Sequence, residues 1–258
     1  MSVLPRTTLL VGDRFAGFAI HDEVFSISQF VEQLPLLAAV QGQDEPIVVQ
    51  PGQGVTTAEW RAVRDQVARL GLEDRVELQF SGAPSVSPKE EVHKHRSQNA
   101  LIADLRRESD GYFLADLRLH NDNELLLDHQ TGQHVQGMVA VEAARQMFLA
   151  VSERFYASRY PDRSYYYVID SMNTAFENFL FPLDATIEFV TVRAETADPE
   201  RLSFTAEISV HQAGRRAALT TVSYTAFEPG LIESKETRRA RHAVGHMVAA
   251  YRPVLAAA

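Results

Sequence analysis

The chain has 258 residues, 45% hydrophobic and 23% charged, which is ordinary for a globular protein and enough chain for one large domain or two small ones. A formal charge of −9 at pH 7 argues against non-specific nucleic-acid binding, which needs a basic surface. The absence of cysteine excludes disulfides, thiolate nucleophiles and Cys-based zinc sites.

The first residues, Met1 to Val11, lack the apolar stretch of a signal peptide. No segment reaches the roughly 20 apolar residues that span a bilayer. A cytoplasmic protein without a membrane role is expected. Thr7 to Val11 is a short apolar run ending at Gly12, consistent with a buried strand. Ser26 or Ser28 can cap a helix through Phe30, Val31 and Leu34, with Pro35 marking a break or its end. Pro46 to Gln50 is a second apolar strand, closed by Gly52 and Gly54. Thr56 or Thr57 then caps a helix whose apolar positions Trp60, Val63, Val67 and Leu70 follow helical spacing, and Gly71 ends it. Arg75 to Phe80 alternates as a strand. This order predicts a small α/β domain with a parallel sheet over residues 1–85. Its glycines sit where phosphate loops form, but neither the dinucleotide nor the P-loop pattern is complete. A structural or docking role is favoured. Ser81 to Pro88, rich in Pro, Ser and Gly, is the boundary.

Beyond it, Asn99 to Arg107 and Tyr112 to His120 alternate around Ser109-Asp110-Gly111, a hairpin signal. A polar loop containing Asp128, His129 and His134 then leads at Gly137 into a stretch that is apolar on almost every side. Met138, Val139, Ala140, Val141, Ala143, Ala144, Met147, Phe148, Leu149 and Val151 leave no continuous solvent face. Such a helix lies at the centre of a domain. Glu142, Arg145 and Gln146 interrupt it on one face. Two readings stand: an internal ion pair that serves only the fold, or a polar strip lining a cavity and fed by Asp128, His129 and His134. The second is favoured. Tyr165 to Ile169, Thr174 to Phe181, Thr186 to Glu195, Leu202 to His211 and Arg216 to Phe227 follow as β-rich runs. From Ser234 a Lys/Arg-rich stretch enters a solvated tail helix, within residues 231–258.

The run Asp128-His-x-x-x-x-His134-Val-x-Gly137-Met-Val-x-x-Glu142-Ala-Ala-Arg145-Gln146 resembles the signature of the A-factor biosynthesis (AfsA) hotdog family. Val92-His93-Lys94 with Asn99 to Ile102, and Asn173 to Asp184, resemble the segments that flank it there. The resemblance covers roughly residues 90 to 230. It implies an α+β protein in which residues 86–230 form a single hotdog domain, an antiparallel sheet wrapped around a long buried helix. The hairpin, apolar helix and later strands read from the residues have the same order. The family is associated with acyl transfer from a β-ketoacyl thioester to dihydroxyacetone phosphate in making γ-butyrolactone signals, a secondary-metabolite reaction. More distantly, the motif is similar to that of β-hydroxyacyl-thioester dehydratases, where His129 and Glu142 fall near the catalytic pair. Here one residue fewer separates them, and Gln136-Gly137 replaces Pro-Gly.

Within that resemblance, Glu142 or His129 is the candidate base and Arg145 the group that meets an anion or holds Glu142 ionised. Backbone N–H groups near Gly137 are candidate oxyanion donors. Asp128, His134, Gln146 and Met138 complete the expected substrate site. The acyl group is expected on an acyl-carrier protein or coenzyme A, with a small hydroxylated acceptor and no metal or resident cofactor. Dehydration, hydrolysis and non-catalytic thioester binding remain alternatives. Many members carry two hotdog repeats; only one is found here, so a homodimer is expected to cover the open sheet edge.

Overall fold

The computed structural model describes residues 4–40, 45–79, 84–127 and 132–255. Chain order begins β1 (Thr7–Val11), β2 (Val24–Ser26), α1 (Ile27–Ala39), β3 (Ile47–Pro51), α2 (Thr57–Arg69) and β4 (Val76–Leu78). These strands form a parallel sheet in the order β2-β1-β3-β4. Both helices open with a capping box. The Ser26 side chain accepts from Gln29 N–H while Gln29 reaches back to the Ser26 backbone, and Thr56 and Glu59 repeat the exchange. After α2, Gly71 adopts φ 65° and Leu72 N–H donates to Val67 O, so only the glycine avoids strain at this stop.

Two expectations for this layer are corrected. The three-residue strand β2 was not read, being too short for an alternation signal. Pro35 neither breaks nor ends α1, which runs four residues past it. It faces solvent between the buried Leu34 and Leu37, so the Val31 carbonyl it deprives of a partner can take water, while the apolar face holds the helix down.

The second layer comprises β5 (Ile102–Ser109), β6 (Tyr112–Leu117), α3 (Glu124–Leu127), α4 (Gly137–Val151), β7 (Tyr166–Phe176), β8 (Thr186–Glu195), β9 (Arg201–Gln212) and β10 (Arg215–Phe227). Its strands form one antiparallel sheet, β5-β6-β8-β9-β10-β7. The sheet is wrapped around α4, which makes this a hotdog fold. Val139, Ala143, Met147 and Val151 on α4 are fully buried, and Phe148 stacks on the buried Tyr224 of β10 at 4.3 Å between ring centroids. The two runs read as Tyr165 to Ile169 and Thr174 to Phe181 are not separate strands. β7 is continuous across Asp170, Ser171 and Asn173, because pairing with β10 shifts register at a bulge between Ser223 and Tyr224. α4 is also less enclosed than expected, with Met138 at its first turn 56% exposed.

α5 (Pro229–Leu255) starts earlier than Ser234, at a proline suited to a first helical turn. Ile232 is buried at its base, Tyr166 Oη donates to Glu236 at 3.0 Å, and Val244, Met247 and Val248 are exposed further along. No described helix is long and apolar enough to cross a membrane.

The layers meet at the carboxyl ends of β1 and β3. Gln53 is buried between them: its Nε2 donates to Leu117 O (2.8 Å) and its Oε1 accepts from Leu119 N–H (2.7 Å). Its backbone N–H reaches Pro182 O, and Gly54 N–H reaches Leu119 O. Asn121 fits against Gly12 and Gly54 so tightly that a Cβ on Gly12 would collide with Asn121 Oδ1 and lie 2.6 Å from Gly54 O. These glycines therefore make room for the second layer, in the crevice where an open α/β sheet would hold a ligand. The docking reading is the one the geometry carries.

Candidate active site

Gln146 organises the centre of the site because it is fully buried and every polar atom must be matched. Its Oε1 accepts from Leu101 N–H (2.7 Å), and its Nε2 donates to Asn99 O (2.9 Å) and to Glu142 Oε1 (3.0 Å). The amide thus ties α4 to the start of β5 and fixes one oxygen of Glu142. Arg145 Nη1 donates to the same oxygen at 3.2 Å, one turn along the helix. A third group, Lys94, places Nζ 2.6 Å from that oxygen. The Glu142 side chain is 18% exposed, Lys94 25% and Arg145 34%. All three interactions meet at Oε1, and among the described residues no hydrogen bond reaches Oε2. Two cations thus face one carboxylate oxygen in a half-buried site.

The N-terminus of α4 lies one and a half turns away, about 7.5 Å along the axis. It has no side-chain cap: the N-cap residue is Gln136, whose amide instead donates to Leu125 O. The third N–H of α4, on Val139, turns to Gln136 O (3.1 Å) where α1 and α2 use a side-chain acceptor. The N–H groups of Gly137 and Met138 before it have no acceptor among the described residues, and their partial positive charge can meet a developing anion. The ring of Phe176 closes on Gly137, where a Cβ would lie 2.9 Å from Cε1.

The structure thus brings Glu142, Arg145 and Gln146 together on one face, with Gly137 and Met138 at the exposed end of the same helix. His134 is half-buried, with its ring 5.0 Å from that of Phe179 and no bond to Glu142. Asp128 and His129 lie outside the described residues. Lys94 was read only as part of a segment that flanks the motif. The signal that could have promoted it is the demand of a buried carboxylate for a counter-charge, with the apolar Val92 beside it as an anchor.

A family model for the A-factor biosynthesis hotdog domain matches residues 76–228. The chain belongs to the AfsA hotdog family. This membership carries the coarse assignment, a hotdog enzyme that handles acyl thioesters. No curated protein matches the chain. Among solved structures, a mutant thioesterase from Pseudomonas aeruginosa is 13% identical, with a TM-score of 0.41 over 58% of this chain and 98% of that one. A hypothetical thioesterase with coenzyme A from Streptococcus pneumoniae is 12% identical, with a TM-score of 0.39 over 55% and 98%. A thioesterase-like protein from Shewanella oneidensis is 8% identical, with a TM-score of 0.37 over 49% and 83%.

Among the described residues of this AfsA-family chain, no group of three or more His, Asp or Glu side chains is placed to hold a metal ion. A cleft of about 1010 Å³ lies elsewhere, between the two layers, with Gln50, Gln53, Asp116, Arg118, Asp184 and His211 among its walls. Glu142 takes no part in it. Burial lowers the pKa of Arg118 and raises those of Asp116 and Asp184. Among the described residues, none of the motif reaches that cleft.

Proposed function

We propose that the protein transfers an acyl group from a carrier-protein or coenzyme A thioester to a small hydroxylated acceptor, as in γ-butyrolactone-type signal synthesis. The observation that carries this reading is Glu142: a carboxylate of the family motif, fixed through one oxygen by Lys94, Arg145 and Gln146, with no hydrogen bond to the other oxygen among the described residues. In the proposed reaction Glu142 takes the proton of the acceptor hydroxyl. The hydroxyl oxygen attacks the thioester carbonyl, and the N–H groups at Gly137 and Met138 stabilise the oxyanion. Collapse expels the thiolate, which takes the proton back from Glu142 and leaves as free thiol. A positioned base contributes about 10²–10⁴-fold, and oxyanion donors about 10²–10³-fold each. The thioester is a good leaving group, so no further cofactor is required. His129, expected as the alternative base, and Asp128, expected in the substrate site, keep those roles as proposals.

The open edge of β7 supports a homodimer. Tyr166, Ile169 and Phe176 on that strand are 45%, 40% and 58% exposed, an apolar edge that soluble proteins normally cover. A second copy pairing there would place two sites near one interface.

The deciding experiment incubates the protein with β-ketoacyl- and β-hydroxyacyl-coenzyme A, with and without dihydroxyacetone phosphate, and reads products by mass spectrometry. An acyl ester of the acceptor is expected. Free acid alone would assign hydrolysis, an enoyl thioester dehydration, and no product a binding role; each would overturn the transfer reading.

A further inference from the structure

The segment before β5 is held to α4 and the turn that follows it by four consecutive residues. Glu91 Oε2 accepts from Arg154 Nη2 at 2.6 Å and from its Nε at 3.0 Å. Val92 is fully buried in the core. His93 Nε2 lies 2.9 Å from Glu153 Oε1, and its ring meets Tyr167 edge-on at 5.3 Å. Lys94 reaches Glu142. Glu153 and Arg154 belong to a wide π-type turn, Ser152–Tyr156, that continues α4, and such turns often mark functional positions.

The segment is a helical turn rather than a strand: Val92 N–H donates to Pro88 O (3.3 Å) and Lys94 N–H to Lys89 O (2.8 Å). The turn stops at His93, which adopts φ 52°, the left-handed conformation that closes helical turns and that costs a non-glycine residue free energy. Strain of this kind persists where surrounding contacts over-determine it, and it is associated with function. A loop that only needed to close on the helix could have placed glycine here.

We propose that Lys94, aimed by the left-handed turn at His93, is a positioning residue for Glu142. It holds Oε1 and so presents Oε2 to the reacting hydroxyl, while the His93–Glu153 pair fixes the turn. Arg145 cannot replace it, because it rides on the same helix as Glu142 and supplies no reference point outside α4. The inference rests on the proposed role of Glu142.

The test measures release of coenzyme A thiol from acyl-coenzyme A thioesters, per folded molecule, for the wild type, Lys94→Met, Lys94→Arg, His93→Ala and the double variant Lys94→Met/His93→Ala, with Glu142→Gln as reference. Lys94→Met should lower kcat at least tenfold with KM changed less than about threefold, and Lys94→Arg should recover most of the loss. His93→Ala should lower kcat severalfold alone but add little to Lys94→Met, because both act through one contact. Circular dichroism checks the fold, and Lys94→Gln serves where Lys94→Met does not fold. If Glu142→Gln is inactive and Lys94→Met keeps wild-type kcat, this inference fails and the reading of Glu142 stands. Full additivity of the two losses also overturns it. If Glu142→Gln turns over like the wild type, or no thioester is consumed, the reading of Glu142 fails and the inference falls with it.

Discussion

The N-termini of α2 and α4 follow similar sequence signals, a glycine-bearing turn leading into an amphipathic or apolar helix, yet the protein uses them in opposite ways. At α2 the helix is closed by its own Thr56–Glu59 exchange, and Gln53 and Asn121 pack the second layer against the turn before it. At α4 there is no cap, Met138 stands exposed, and a carboxylate held by two cations lies one and a half turns inside. A glycine beside a helix N-terminus therefore does not announce a ligand. What packs against it decides.

The largest effect that sharpens this contrast is expected at Glu142. Glu142→Gln should cut turnover by about 10²–10⁴-fold while thermal melting changes little. If Glu142 served only the fold, the variant would instead strand Lys94 and Arg145, lose stability of roughly 3–5 kcal/mol and keep its turnover per folded molecule.

Gln53→Ala should show the reverse. It leaves Leu117 O and Leu119 N–H buried without partners, costing roughly 2–6 kcal/mol at about 1–3 kcal/mol for each orphaned group. Denaturant titration should show this loss, with turnover per folded molecule unchanged. A neutral Gln53→Ala would break the docking account of the first layer.

The two glycines give a more direct comparison. Gly12→Ala drives a Cβ into Asn121 and the Gly54 backbone, and should destabilise by about 1–3 kcal/mol. Gly137→Ala meets only the Phe176 ring, which is 58% exposed and free to swing aside. Its stability should change by less than about 1 kcal/mol, while the ring it displaces narrows the mouth of the site and lowers turnover. Equal melting shifts for the two variants would erase the distinction.

The smallest effect concerns pH at the cleft between the layers. Burial, joined at Asp184 by the charge of Asp116, holds the Asp184 carboxyl above its ordinary value of 3.8. A group that binds its proton more tightly when folded stabilises the fold below that ordinary value and loses the contribution as pH rises through its folded pKa. Asp184→Asn should therefore raise the melting temperature slightly at pH 7, with the gain gone below about pH 4. A gain that persists in acid would assign the effect to packing.

Much of this was legible in the residues. α4 could be read as a central helix because its apolar positions cover every side, and Glu142, Arg145 and Gln146 could be placed on one face because spacings of three and four are neighbours on a helix. The caps at Ser26 and Thr56, the stop at Gly71 and the hairpin at Gly111 follow from local backbone chemistry that a single sequence window contains. Pro35 and β7 were misread for one reason: local breaker signals were outweighed by burial and by cross-strand pairing supplied from elsewhere in the chain.

By itself the sequence determined most of the elements, their order, and the identity of the polar groups on α4, since these depend on propensity and periodicity over neighbouring residues. Only the tertiary structure decided which partners those groups meet. Lys94 reaches Glu142 across 47 intervening positions, aimed by one left-handed residue. Gln53 spends its amide on Leu117 and Leu119 rather than on a ligand. A buried polar group must be paired, but the requirement does not name the partner. That choice belongs to the packing of distant segments, which no local pattern encodes.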